Sequence, residues 1–157
     1  MELLRALVAG EGLSPTTFGL SVHNAIGALY SITRGHRGNL LALSAGKATV
    51  ETACLEAVSL LADGAREVRI VAYDPPLPAL YSAFVDEPMA YYAWCWRVTT
   101  AVPGGNRLRL QWQADAAPDD VPGVLPHALD LHRFLLTGED HCRRVMDGQR
   151  WSWRRGD

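Results

Sequence analysis

The chain has 157 residues, 48% of them hydrophobic, enough for one core but marginal for two separate halves, so a single domain over residues 1–157 is expected. A formal net charge of -2, from 15 Lys+Arg against 17 Asp+Glu, gives no general pull toward nucleic acid or anionic membranes, and neither is expected as a partner. Cys54, Cys95 and Cys142 are odd in number and scattered, without the paired spacing of a disulfide framework or a zinc site, so a reducing cytoplasm is the expected setting.

The amino-terminal stretch MELLRALVAGEGLSP carries a single Arg5, and its apolar run is too short and interrupted for a secretory signal or a membrane span. Ser14 before Pro15 reads as an N-cap with proline at the first helical position. Phe18, Val22, Ile26, Leu29, Tyr30 and Thr33 continue at helical spacing, and Gly35 and Gly38 end the pattern, so one helix is predicted from about Thr16 to Thr33. Leu40 to Leu43 is a short apolar run suited to a buried strand, leading into Ala45-Gly46-Lys47.

Val50, Ala53, Cys54, Ala57, Leu60 and Leu61 lie three or four apart and predict a helix over 48–61, which Asp63-Gly64 would end. EVRIVA, Glu67 to Ala72, follows as a strand, and strand, helix, strand in that order implies a βαβ unit with a parallel sheet. Asp74 to Pro88 is proline-rich and irregular. Tyr91 to Thr100 and Arg107 to Gln113 alternate around Pro103-Gly104-Gly105-Asn106, which is a hairpin signal. Loop is expected over Ala114 to Gly123, helix over Leu125 to Leu136, and a second hairpin over Cys142 to Arg155, turning at Asp147-Gly148.

Several residues in one register carry a family resemblance. Ser14-Pro15 opening a helix, Asn24 within it, Ser31-Ile32 near its end, and the Gly35 and Gly38 turn before a strand are spaced as in the amino-terminal half of the β-ketoacyl synthases. The register continues through Lys47, Ala53, Ala57 and Gly64, so the chain resembles that family most specifically over Ser14 to Ala72. The resemblance implies an α/β fold, an incomplete thiolase-like βαβ sheet with added carboxyl-terminal hairpins. The family's first strands and its carboxyl-terminal half, which supplies two histidines, would be missing.

The family's nucleophilic cysteine position falls on Lys47. A ketosynthase needs a thiolate at a helix N-terminus, where the dipole and free N–H groups depress its pKa, and lysine cannot take that role. The whole chain, including the end WSWRR, is most similar to the shortened chain-length factors that accompany aryl polyene synthases. That resemblance implies a non-catalytic subunit without a cofactor, in polyketide or fatty-acid-like synthesis. It would pair with a cysteine-bearing ketosynthase and meet an acyl carrier protein. Leu40, Leu41, Ala42, Leu43 and Ser44 would form the pairing strand, and Phe18, His23, Asn24, Leu29 and Lys47 would face the acyl tunnel or the partner. The rival readings are a small acyl-transferring or thioesterase-type enzyme using Cys54 or Cys142, and a homodimeric acyl-binding protein.

Bland readings stand beside these. Lys47 could be a gate, a pairing group or simply a solvated lysine. Cys54 lies two turns into its helix on the apolar face, where free cysteine behaves as a small hydrophobe. His23 and Asn24 are adjacent in a predicted helix and point apart. His127 and His132 are five residues apart, not the i, i+4 of a two-histidine metal face, and no metal is expected. The five tryptophans alternate within strand patterns and read as core, or as a contact surface if exposed.

Overall fold

In a computed structural model that describes residues 2–121 and 123–156, the chain divides into two compact units, 1–44 and 45–157. Among the described residues, the first unit holds three short helices: α1 (Glu2–Val8), α2 (Pro15–Leu20) and α3 (Ala25–Arg34). Ser14 caps α2 as expected, its side chain accepting from the Thr17 N–H at 3.3 Å, with Pro15 at the start. The single helix predicted from Thr16 to Thr33 is instead two. The Ser21 hydroxyl turns back to the Phe18 carbonyl at 2.7 Å, Asn24 becomes the N-cap of α3 rather than an interior residue, and His23 lies in the turn. Serine competing for helix carbonyls and glycine at position 19 both weaken the continuation. Gly35 ends α3 in the left-handed conformation, φ 60°. Gly27 has a packing reason: a Cβ there would overlap the Leu40 side chain.

The second unit carries all the described strands. Helix α4 (Thr49–Ala62) is followed by β1 (Val68–Asp74), a 3-10 helix (Ala79–Phe84), β2 (Tyr92–Val98), β3 (Leu108–Ala114), α5 (His127–Thr137), β4 (His141–Met146) and β5 (Gln149–Arg155). One sheet is β1-β2 and the other is β3-β5-β4, with every named pairing antiparallel. The hairpin at Asp147-Gly148 forms as predicted: Met146 pairs with Gln149 across a two-residue turn in which both residues have positive φ, 52° and 73°.

Two pairing expectations are corrected. The hairpin predicted between 91–100 and 107–113 does not form, because β2 pairs with β1 and β3 pairs with β5. The predicted parallel βαβ ladder is also absent among the described residues: 40–43 has no strand assignment, and β1 takes β2 as an antiparallel neighbour. Among the described residues, one parallel bridge joins Ala45 to Lys47. Alternation and apolar runs report which face of a chain is covered; they do not name the strand across the ladder.

The core of this unit lies between its helices and both sheets. Val50 and Ala57 from α4, Ile70 from β1, Trp94 and Trp96 from β2, Leu131 and Phe134 from α5, and Trp153 from β5 form one buried cluster. The Trp96 and Trp153 rings meet edge to face at 6.4 Å, tying the two sheets together. Helix α4 exists because its apolar positions recur at helical spacing, and it stops at Asp63 before Gly64, which has φ 101°.

Candidate functional site

The approach to α4 is built by its own backbone. Gly46 takes a left-handed φ of 57°, folding Ala45-Gly46-Lys47 tightly so that the Thr49 hydroxyl donates to the Gly46 carbonyl at 2.6 Å and accepts from the Ala45 N–H at 3.0 Å. Lys47 therefore stands just before the helix, where a cation meets the positive end of the dipole. The opposing charge comes from a distant loop. Lys47 Nζ lies 3.2 Å from Asp119 Oδ2, and the hydrogen bond to Asp119, ahead of the fields of Asp119, Asp147 and Asp86, raises the lysine pKa above its ordinary 10.5. Lys47 is thus neither a free solvated lysine nor an amine poised to lose its proton at neutral pH.

Asp119 is fixed in turn. Its Oδ1 accepts from the Asp147 N–H at 2.9 Å, while Asp120 Oδ2 accepts from the Val145 N–H at 2.9 Å. Asp115 donates its N–H to the Gly148 carbonyl at 2.9 Å and pairs through its side chain with Arg150. The backbone hydrogen bond from Ala117, aided by Arg150, holds the Asp115 carboxyl below the usual range. The segment 115–121 is therefore strapped to the β4–β5 turn, and Lys47 is tied to the strap. Pro122, in the loop predicted over 114–123, lies outside the described residues.

A small cavity of about 30 Å³ opens beside the strap, lined in part by Lys47, Glu87, Asp120, His127, Asp130 and Arg144. Its charged walls are largely committed to one another. Arg144 pairs with the buried Asp130 at 2.8 Å, and Glu87 Oε2 accepts from the His127 backbone N–H at 2.8 Å, satisfying an orphan donor at the start of α5.

Behind the cavity wall lies a polar network that the sequence reading did not anticipate. Glu51, in the first turn of α4, is 0% exposed; its Oε1 lies 2.7 Å from His127 Nε2 and accepts from the Trp153 indole at 3.0 Å. A buried carboxylate is tolerated only with such partners. His132, the other histidine weighed for metal binding, accepts at Nδ1 from the Trp96 indole at 3.0 Å and stacks on Trp94 at 5.4 Å. Among the described residues, no cluster of three His, Cys, Asp or Glu side chains could hold a metal ion.

Two of the three cysteines sit in surroundings that disfavour a thiolate. Burial, reinforced by Glu51, pushes the Cys54 thiol up to about 12, and burial also raises Cys142. Cys95 is exposed on β2. Of the residues expected to face a tunnel or partner, Phe18, His23, Asn24 and Leu29 are exposed in the first unit, while Lys47 is in the second. Leu40, Leu41, Leu43 and Ser44 are exposed and Ala42 half-buried. Glu51, Asp119 and Glu87 are the residues sequence reasoning missed. The one signal that could have found any of them was a carboxylate, Glu51, set among the apolar positions Val50, Ala53 and Cys54.

Comparison with known proteins places this arrangement. The family "Beta-ketoacyl synthase, N-terminal domain" matches residues 1–154. The chain belongs to that family. No curated protein matches it in sequence. A chain in the solved structure of a ketosynthase in complex with its chain length factor, from Xenorhabdus doucetiae, is 27% identical and superposes with a TM-score of 0.80. The match covers 98% of this β-ketoacyl synthase relative and 63% of that chain, so the present chain spans less than two thirds of it. The α/β, thiolase-like fold class expected from the register is thus the one found, and it stands despite the local strand corrections.

Proposed function

We propose that the chain is a non-catalytic, chain-length-factor-like subunit that pairs with a cysteine-bearing β-ketoacyl synthase. In this reading it forms part of the wall of the tunnel receiving the growing acyl chain. The setting is the cytoplasm, in aryl polyene, polyketide or fatty-acid-like synthesis from groups on an acyl carrier protein. The observation that carries the reading is the state of position 47. Where the family's register requires an activated thiolate, this chain has a lysine paired with Asp119 at 3.2 Å, its pKa pushed up, so it presents an ammonium group without a lone pair to attack a thioester. The raised thiols of Cys54 and Cys142 weigh against the rival cysteine enzyme. The similar chain from Xenorhabdus doucetiae, taken from a ketosynthase–chain length factor complex, supports the pairing role.

Co-expression with a neighbouring cysteine-bearing ketosynthase tests the proposal. The two should co-purify, the complex should condense carrier-bound acyl groups, and Lys47→Ala should preserve turnover while shifting product length or complex stability. A chain that hydrolyses acyl thioesters alone, and stops when Cys54 is replaced, would sink this reading.

A further inference from the structure

His127 is 7% exposed, and its ring forms part of the wall of the cavity beside the strap, with Nε2 turned to Glu51 at 2.7 Å. The Glu51 carboxylate only accepts, so the proton of this bond sits on Nε2 and the neutral ring offers a lone pair at Nδ1. That Nδ1 is buried and, among the described residues, has no hydrogen-bond partner. A buried acceptor without a donor is unfavourable, and the cavity is the space from which a donor reaches it.

Two carboxylates on the same walls are only half used. Glu87 Oε2 accepts from the His127 N–H and Asp120 Oδ2 from the Val145 N–H, which leaves Glu87 Oε1 and Asp120 Oδ1 without a partner among the described residues. The cations of the lining are already neutralised, Lys47 by Asp119 and Arg144 by Asp130, which Arg133 shares. The cavity therefore carries surplus negative charge and repels a small anion. A metal ion is no better served, since no cluster of three His, Cys, Asp or Glu side chains among the described residues could hold one. N–H donors reach farther, about 2.7–3.2 Å against about 2.0–2.6 Å for a metal–oxygen bond.

We propose that this cavity binds a primary ammonium group, whose three N–H donors engage His127 Nδ1, Glu87 Oε1 and Asp120 Oδ1. Its volume of about 30 Å³ holds roughly two water-sized groups, which matches an ammonium head with its first carbon and excludes a quaternary amine. The positive end of α5 opposes a cation there, but the Glu87 carboxylate is already set against it. The inference stands apart from pairing with a ketosynthase, and its test uses the full chain by itself.

The measurement is a titration of the full chain with methylammonium chloride, followed by nitrogen NMR of the histidine rings. The His127 Nδ1 resonance should move saturably while those of exposed His36 stay in place. Tetramethylammonium, which has the charge but no N–H, should not compete. Glu87→Gln with Asp120→Asn keeps an acceptor oxygen for each backbone N–H and removes both charges. The unfolding midpoint of this double variant should stay near the parent's while methylammonium affinity falls about tenfold. Nα-acetyl-lysine amide, run beside methylammonium, separates the sources of the group: tighter binding of the lysine amide identifies a protein side chain as the occupant, and tighter binding of methylammonium a free small amine. A His127 resonance that does not respond to either would overturn the proposal, as would unchanged affinity in the double variant or equal binding of tetramethylammonium.

Discussion

Single residues decide most of the chemistry here. Cys54 keeps its proton in the native state up to about pH 12, while the unfolded thiol loses it near its ordinary 9.0. Between those values the folded state binds the extra proton, so stability is fully present below pH 9.0 and drains away as pH rises, at roughly 1.4 kcal/mol per unit. Lys47, raised by Asp119, adds a loss of the same sign as pH climbs past 10.5. Urea unfolding midpoints should therefore fall steeply in alkali for the parent and less steeply for Cys54→Ala. Equal slopes would mean the thiol is not shielded. At pH 8, a disulfide reagent should label exposed Cys95 quickly and Cys54 only on unfolding.

Glu51 offers a different test at the same scale. Replacing it with alanine leaves the His127 ring and the Trp153 indole facing a buried space without their acceptor. The expected loss is about 3 kcal/mol, against about 1 kcal/mol for Glu51→Gln, which retains an acceptor oxygen. Chemical denaturation measures both, and an alanine variant as stable as the glutamine one would show that the network is not structural.

At the scale of elements, the β4–β5 hairpin is both support and anchor, because its turn receives the strap from 115–121. Gly148 has φ 73°, so Gly148→Ala should cost about 1 to 2 kcal/mol through its left-handed backbone and lower the thermal midpoint, while Gly12→Ala, at a glycine without positive φ, should not. A silent Gly148 variant would argue that the turn has another geometry. This hairpin was legible because Asp-Gly between alternating strands is a complete local instruction. The Ser14-Pro15 cap and the Gly64 stop were legible for the same reason. The partners of β2 and β3 were not, since alternation fixes a face and leaves the neighbour open. The candidate site was half legible: position 47 followed from register, but Asp119 is 72 residues away and Glu51 finds its partners 76 and 102 residues away. No periodicity encodes such meetings.

For the whole molecule, the two units differ in how they are held. The second has a tryptophan-rich core, whereas among the described residues of 1–44 only Ala25 is buried. Ile26, Leu29, Ile32 and Leu41 stand exposed, Ile32 at 79%. Helices of 7, 6 and 10 residues are too short to persist on propensity alone, and most helical stability comes from a covered apolar face. If a ketosynthase covers this face, amide exchange should be fast over 26–43 in the free chain and slow in the complex, with little change over 141–155. Ile32→Asp with Leu41→Asp should then abolish co-purification while leaving the unfolding of the second unit unchanged, because their side chains are exposed and outside its core. Fast exchange over 26–43 in a complex that nevertheless forms would place the partner elsewhere, and the exposed leucines and isoleucines would need another cover.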